Sequence, residues 1–220
     1  MERTIRVTGK GKISITPDMI RLLINQTNVL NTYDGALRDS ADSKAYLNEA
    51  FIKLGFKKED LKTTYFNVDT KYERYRDNRD NWREKFIGYE YVHRMKLEFP
   101  RDNELLGKVL GVMARCEGEP EFSLQFTVSD PEAAKNELLA KAVKDSKTKA
   151  DVLSNAAGVS LGEIMTVDYS WGELDIYSRP VEDLRCLAKQ NIDECDDTGF
   201  DIDPDDIDLT DTVTVLWAIK

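Results

Sequence analysis

The sequence predicts an α+β fold in which two β-α-β-like halves form antiparallel sheet structure packed by long helices, with a protruding β-hairpin. Three observations carry this. Apolar and polar residues alternate in segment after segment, the period of a strand with one buried face. Two long segments switch to helical spacing, and each stops at a glycine. The ends of those helices also match residue by residue. Gly55 and Gly158, Phe56 and Val159, Asp60 and Glu163, Leu61 and Ile164, and Thr63 and Thr166 all stand at one offset, as an internal repeat would.

The elements follow in order. "RTIRVTGKGKISI" puts Ile5, Val7, Ile13 and Ile15 in phase with glycines between, which predicts a strand interrupted by a bulge or bend at Gly9–Gly11. Pro17–Asp18 is a turn signal, and a second strand follows through "MIRLLINQTNV". From about Asp34 to Leu54, the spacing of Leu37, Ala41, Ala45, Leu47, Phe51 and Leu54 predicts one buried helical face. "DLKTTYFNVDTKYERY" and "FIGYEYVHRMKLEF" then read as a hairpin with a long charged tip around "RDNRDNW". Its second strand alternates through Ile87, Tyr89, Tyr91, His93, Met95, Leu97 and Phe99.

A short helix carrying Leu105, Leu106, Val109, Leu110 and Met113 follows Asp102, and "FSLQFTV" returns to strand alternation. The clearest helix begins at Ser129 or Asp130 as cap, has Pro131 in its first turn, and ends at Gly158. Its expected buried stripe (Ala134, Leu138, Ala142, Leu153, Ala157) is rich in small residues and suits close packing on a sheet. "IMTVDYSW" and "DTVTVLWAI" supply the last strands. The chain reads as a single domain over 1–220, with a charged hairpin arm at about 70–86 and an acidic insertion at about 180–210.

Charge narrows the function classes. Ten of the 41 acidic residues lie between Asp193 and Asp211, and without them 31 acids face 31 Lys and Arg. The rest of the chain is neutral, so nucleic-acid binding has no general electrostatic support. No apolar run is long enough to span a bilayer, and no membrane association is expected. Cys116, Cys186 and Cys195 are odd in number, with no C-x-x-C, as reduced thiols of a cytoplasmic protein would be, with a Cys186–Cys195 bridge the alternative in an oxidising compartment; no secretory leader is recognisable.

Candidate chemistry is sparse. His93 is the only histidine, so any hydroxyl–histidine or thiol–histidine pair must use it; its phase on the apolar side of a strand favours a packed, hydrogen-bonded role. "TGKGK" lacks the strand-to-helix setting and the Gly-Lys-Ser/Thr ending of a phosphate loop. The hairpin tip interleaves Tyr72, Tyr75 and Trp82 with basic residues, but Glu73, Asp77, Asp80 and Glu84 cancel much of the field. A contact with a neighbouring subunit is favoured there over single-stranded nucleic acid, and a simple exposed hairpin over either. In the acidic stretch, a calcium-loop alignment from Glu194 fails at both ends. A loose divalent-cation cluster of Asp196, Asp201, Asp203 and Asp205 is the weaker reading beside a solvated loop. No cofactor is expected.

The chain resembles the SIMPL-domain family, a bacterial domain of unknown function whose members include a periplasmic immunogenic protein and a kinase-associated signalling adaptor. The resemblance rests on "IRVTGKGKISITPD", "KLGFKKEDLKT", "IGYEY", "AKAVKDSKTKADVLSNAAGVSLGEI" and the closing "VTVLWAI". It implies an α+β fold, a tendency to form homo-oligomers, and no established catalytic residue. The expected function is a non-enzymatic, self-associating scaffold or binding module, with room for an unidentified protein partner. The alternatives are a small-ligand-binding protein or enzyme with its site at a subunit junction, and weak nucleic-acid binding through the hairpin.

Overall fold

A computed structural model describes residues 3–116, 120–169, 176–178 and 202–220. It contains β1 (Thr4–Ile15), β2 (Met19–Leu30), α1 (Tyr33–Lys53), β3 (Lys62–Arg76), β4 (Trp82–Pro100), α2 (Asn103–Ala114), β5 (Glu121–Thr127), α3 (Pro131–Ala156), β6 (Leu161–Asp168) and β7 (Ile207–Ile219). The fold is α+β, with two antiparallel sheets ordered β1-β7-β6 and β3-β4-β2-β5.

The chain divides into two compact units, one from Met1–Asp18, Thr127–Ser178 and Pro204–Lys220, the other from Met19–Phe126 and Arg179–Asp203. Each contains the same motif. The first unit runs β1, α3, β6, β7, with β7 seated between β1 and β6; the second runs β2, α1, β3, β4, with β4 seated between β2 and β3. The helix ends repeat as well. Gly55 (φ 98°) and Gly158 (φ 67°) adopt left-handed backbone, and the next N–H turns back onto the last helical turn: Phe56 onto the Phe51 carbonyl at 3.2 Å, Val159 onto that of Ser154 at 3.0 Å. The sequence repeat is therefore a structural duplication, with the stretch Met19–Phe126 of the second unit inserted in the chain between β1 and α3 of the first.

Helix starts are set locally. Thr32 accepts from the Gly35 N–H, Asp102 from those of Glu104 and Leu105, and Asp130 from that of Ala133, each cap worth about 1 kcal/mol. The second unit buries Ile20, Leu22 and Ile24 of β2 and Met95, Leu97 and Phe99 of β4 against α1 and α2. Within that core, the Phe51 ring alone contributes about 2–3 kcal/mol.

The first unit corrects one expectation. β1 is a continuous twelve-residue strand in unbroken register with β7, with no bulge at Gly9–Gly11. The glycines serve the helix instead. A Cβ on Gly9 would collide with the Ala142 carbonyl and Ser146, and one on Gly11 with the Leu138 carbonyl, because α3 lies directly on the strand. Polar side chains tie the pair: Asp145 accepts from the Lys10 N–H at 2.7 Å, and Lys149 donates to the Thr8 carbonyl at 3.3 Å.

The stripe that α3 buries is also corrected. It runs Ala134, Leu138, Ala142, Ser146, Ala150, Ser154 at constant four-residue spacing, whereas Leu153 and Ala157 are exposed. Serine is small enough for this close approach, and Ser146 meets its polar need by donating to the Val7 carbonyl.

Candidate functional site

The helix-facing side of β4 changes character along its length. Met95, Leu97 and Phe99 belong to the apolar core, but the in-phase residues Tyr91 and His93, both buried, form polar bonds to α1. His93 is satisfied at both ring nitrogens, by Ser40 Oγ at Nδ1 and Thr63 Oγ1 at Nε2, each at 2.8 Å, while Lys44 Nζ donates to Thr63 Oγ1 at 2.9 Å. With its oxygen accepting from lysine, the Thr63 hydroxyl can donate to Nε2, leaving Nδ1–H to donate to Ser40. Burial and then the Lys44 cation hold the imidazole below its ordinary pKa, so the ring is neutral at pH 7. This is the packed, hydrogen-bonded histidine that its position in the strand suggests.

Beside it, the Tyr91 hydroxyl donates to Asp39 Oδ2 at 2.8 Å, and Asn28 Nδ2 donates to the same oxygen at 3.1 Å. Burial, reinforced by the Asp39 carboxylate, pushes the Tyr91 pKa far above that of a free phenol. A cleft of about 520 Å³ opens here between the end of β2 and the first half of α1. Its lining includes Gln26, Asn28, Asp39, Asp42, Tyr46 and Tyr91.

The sequence reading missed this site because it assigned α1 the wrong face. Leu37, Ala41 and Ala45, expected in the core, are exposed, whereas Ala36 and Ser40 are buried. Apolar periodicity orients a helix only when its neighbours are apolar; here the first half of α1 covers the polar part of the sheet, Gln26, Tyr91 and His93. The available signal was on the strands, where those three residues are in phase with core positions.

The hairpin arm is a paired ladder almost to its end. Register continues to Arg76 opposite Trp82, leaving a tip of only residues 77–81. Asp77 organises that tip by accepting from the N–H groups of Asn81 and Arg79, which hold its carboxyl below the usual range. Tyr72 lies opposite Phe86, and edge-to-face contacts link Tyr72, Phe86, Tyr89 and Tyr33 in a row. The Arg76 guanidinium covers the Trp82 ring at 5.0 Å. Strand alternation places Tyr72, Arg74 and Arg76 on one face and Tyr75 on the other. Of the three aromatic residues singled out from sequence, only Tyr72 and Trp82 therefore share a surface.

The acidic stretch divides. Asp196 and Asp201 lie outside the described residues, as do Cys186 and Cys195. Asp203 pairs with Arg101 at 2.6 Å. Asp206 accepts from Thr16 and Asp208 from Ser14, both at 2.7 Å, and β7 begins at Ile207, so Asp208 and Asp211 belong to a strand rather than a loop. Among the described residues no three His, Cys, Asp or Glu side chains converge as metal ligands, and no helix is long and apolar enough to cross a membrane.

A profile of the SIMPL family, described as a protein of unknown function (DUF541), matches residues 5–217. The chain belongs to the SIMPL family. It is similar to the 26 kDa periplasmic immunogenic protein of Brucella melitensis biotype 1, with 26% identity over 217 residues, 98% of this chain and 84% of the relative. It is also similar to the protein of the same name from Brucella abortus strain S19, with 25% identity over the same shares. These SIMPL relatives are named for the periplasm, whereas the residues alone suggested the cytoplasm.

The SIMPL motif residues in this chain build the fold. Gly9 and Gly11 seat α3, and Asp18 accepts from both the N–H and hydroxyl of Ser129 at 2.7 and 2.6 Å. Gly55 closes α1, Asp60 accepts from the Lys57 N–H, and Thr63 holds His93.

Proposed function

We propose that the protein is a non-enzymatic, self-associating binding module, and that its hairpin arm contacts a second copy of the chain. The observation that carries this reading is β3, a fifteen-residue edge strand with no buried residue. An edge of that length is a template for pairing with another chain. The arm adds exposed aromatic area, with Tyr72 at 52% and Trp82 at 65% exposure.

A second copy is favoured over a polyanion because the arm's charges are largely answered within it. Arg74 pairs with Glu84, Arg76 with Asp80 and Arg83 with Asp77. An arm with little net field but ample ring area suits an isologous protein contact, in which each copy offers the other the same surface.

Light scattering at micromolar concentration tests this directly. The intact chain is expected to form an oligomer that weakens when residues 72–85 are shortened to a tight turn. A strict monomer overturns the proposal, and an unchanged oligomer in the shortened variant removes the arm as the contact. The periplasmic names of the relatives support that compartment for the module over the cytoplasm, and cell fractionation of the natural host distinguishes them.

A further inference from the structure

We propose that the cleft between the end of β2 and the first half of α1 is a binding site for a small organic ammonium ion, a primary amine with a compact apolar body. The chemistry of the acceptors points there. Gln26 is 3% exposed, yet its side-chain oxygen has no hydrogen-bond partner. A buried acceptor left unpaired is costly, and a turn of the Gln26 side chain toward the cleft that the residue lines would bring this enclosed oxygen within reach of a ligand there.

Two carboxylates share the same wall. Asp39 already orders Tyr91 and Asn28 through one oxygen. Asp42, one turn along α1, has no ion pair or hydrogen bond among the described residues. No described Lys or Arg lines the cleft. The nearby Arg115 turns its guanidinium onto the Gly111 carbonyl, and its own carbonyl accepts from the Tyr46 hydroxyl.

This donor and acceptor set selects the ligand class. An anion is repelled by two carboxylates. Among the described residues no third carboxylate joins these two, so a divalent ion would have to keep much of its shell of roughly six to eight oxygens as water. An alkylammonium carries three N–H donors and one positive charge. With the Gln26 side chain turned to the cleft, it can give one donor to the Gln26 oxygen while its charge lies beside Asp39 and Asp42. The Tyr46 and Tyr91 rings border the same space and suit both the cation and an apolar body. The cleft, at about 520 Å³, falls within the range of small-molecule sites. The site lies wholly within the second unit and does not depend on self-association.

Calorimetric titration of the full chain with 2-phenylethylamine tests the proposal, with the neutral isostere 2-phenylethanol and calcium chloride as separate ligands. Saturable amine binding is expected, with the alcohol weaker by about tenfold or more because it lacks the charge. Asp42→Asn, which breaks no bond among the described residues, is expected to weaken the amine by about tenfold, and Gln26→Leu by a similar factor. Circular dichroism checks that both variants are folded. The proposal is overturned if the amine does not saturate, if the alcohol binds equally well, if calcium binds stoichiometrically and displaces the amine, or if the folded Asp42→Asn variant binds as the parent does.

Discussion

The carbonyl oxygen of Ala142 rests against the α-carbon of Gly9, so close that a methyl group on that carbon would overlap it. The glycines of the opening strand are therefore sites of helix docking, and α3 is held by backbone proximity rather than by large side chains. Gly9→Ala is expected to cost about 2–3 kcal/mol, since the overlapping atom belongs to rigid backbone. Gly107→Ala provides the contrast. It sits within α2, and an added Cβ would meet nothing within 4 Å, so that substitution should add about 1 kcal/mol of stability. Urea denaturation of the two variants reads both signs.

His93 gives stability a pH dependence of known direction. Burial and Lys44 depress its pKa in the folded chain, so the unfolded chain binds the proton more readily. The contribution is present above the ordinary imidazole value of about 6.5 and is lost as the pH falls below it. His93→Gln should flatten this acid limb of the denaturation midpoint against pH. A limb equally steep in the variant would assign the loss to other groups.

Tyr91 acts at the opposite end of the scale. Its folded pKa is raised, so its contribution is complete below the ordinary phenol value of about 10 and declines as the pH rises beyond it. Tyr91→Phe should remove that alkaline decline and cost about 1–2 kcal/mol at neutral pH through the lost bond to Asp39. Equilibrium denaturation at neutral and alkaline pH separates the two effects.

The arm separates folding from assembly. Trp82 is 65% exposed, with the Arg76 guanidinium over its ring, so Trp82→Ala should change the stability of the isolated chain by less than about 0.5 kcal/mol. The same substitution should weaken the oligomer. A large loss of monomer stability would show that the ring supports the fold instead.

The amino-acid sequence by itself determined the elements. Alternation located the strands, helical spacing with a cap at Ser129 or Asp130 located the helices, and the paired glycines at 55 and 158 announced the duplication. These are local properties, fixed by residues a few positions apart. Only the tertiary structure decided what the elements do to one another. It turned Gly9 and Gly11 from a supposed bulge into a helix seat, drew Asp208 into β7, and rotated the first half of α1 so that Ser40 faces His93 while Leu37 faces out. The physical reason is common to all three. Which face of an element is buried depends on the surface it meets, and His93 and Ser40 meet across 53 positions of chain.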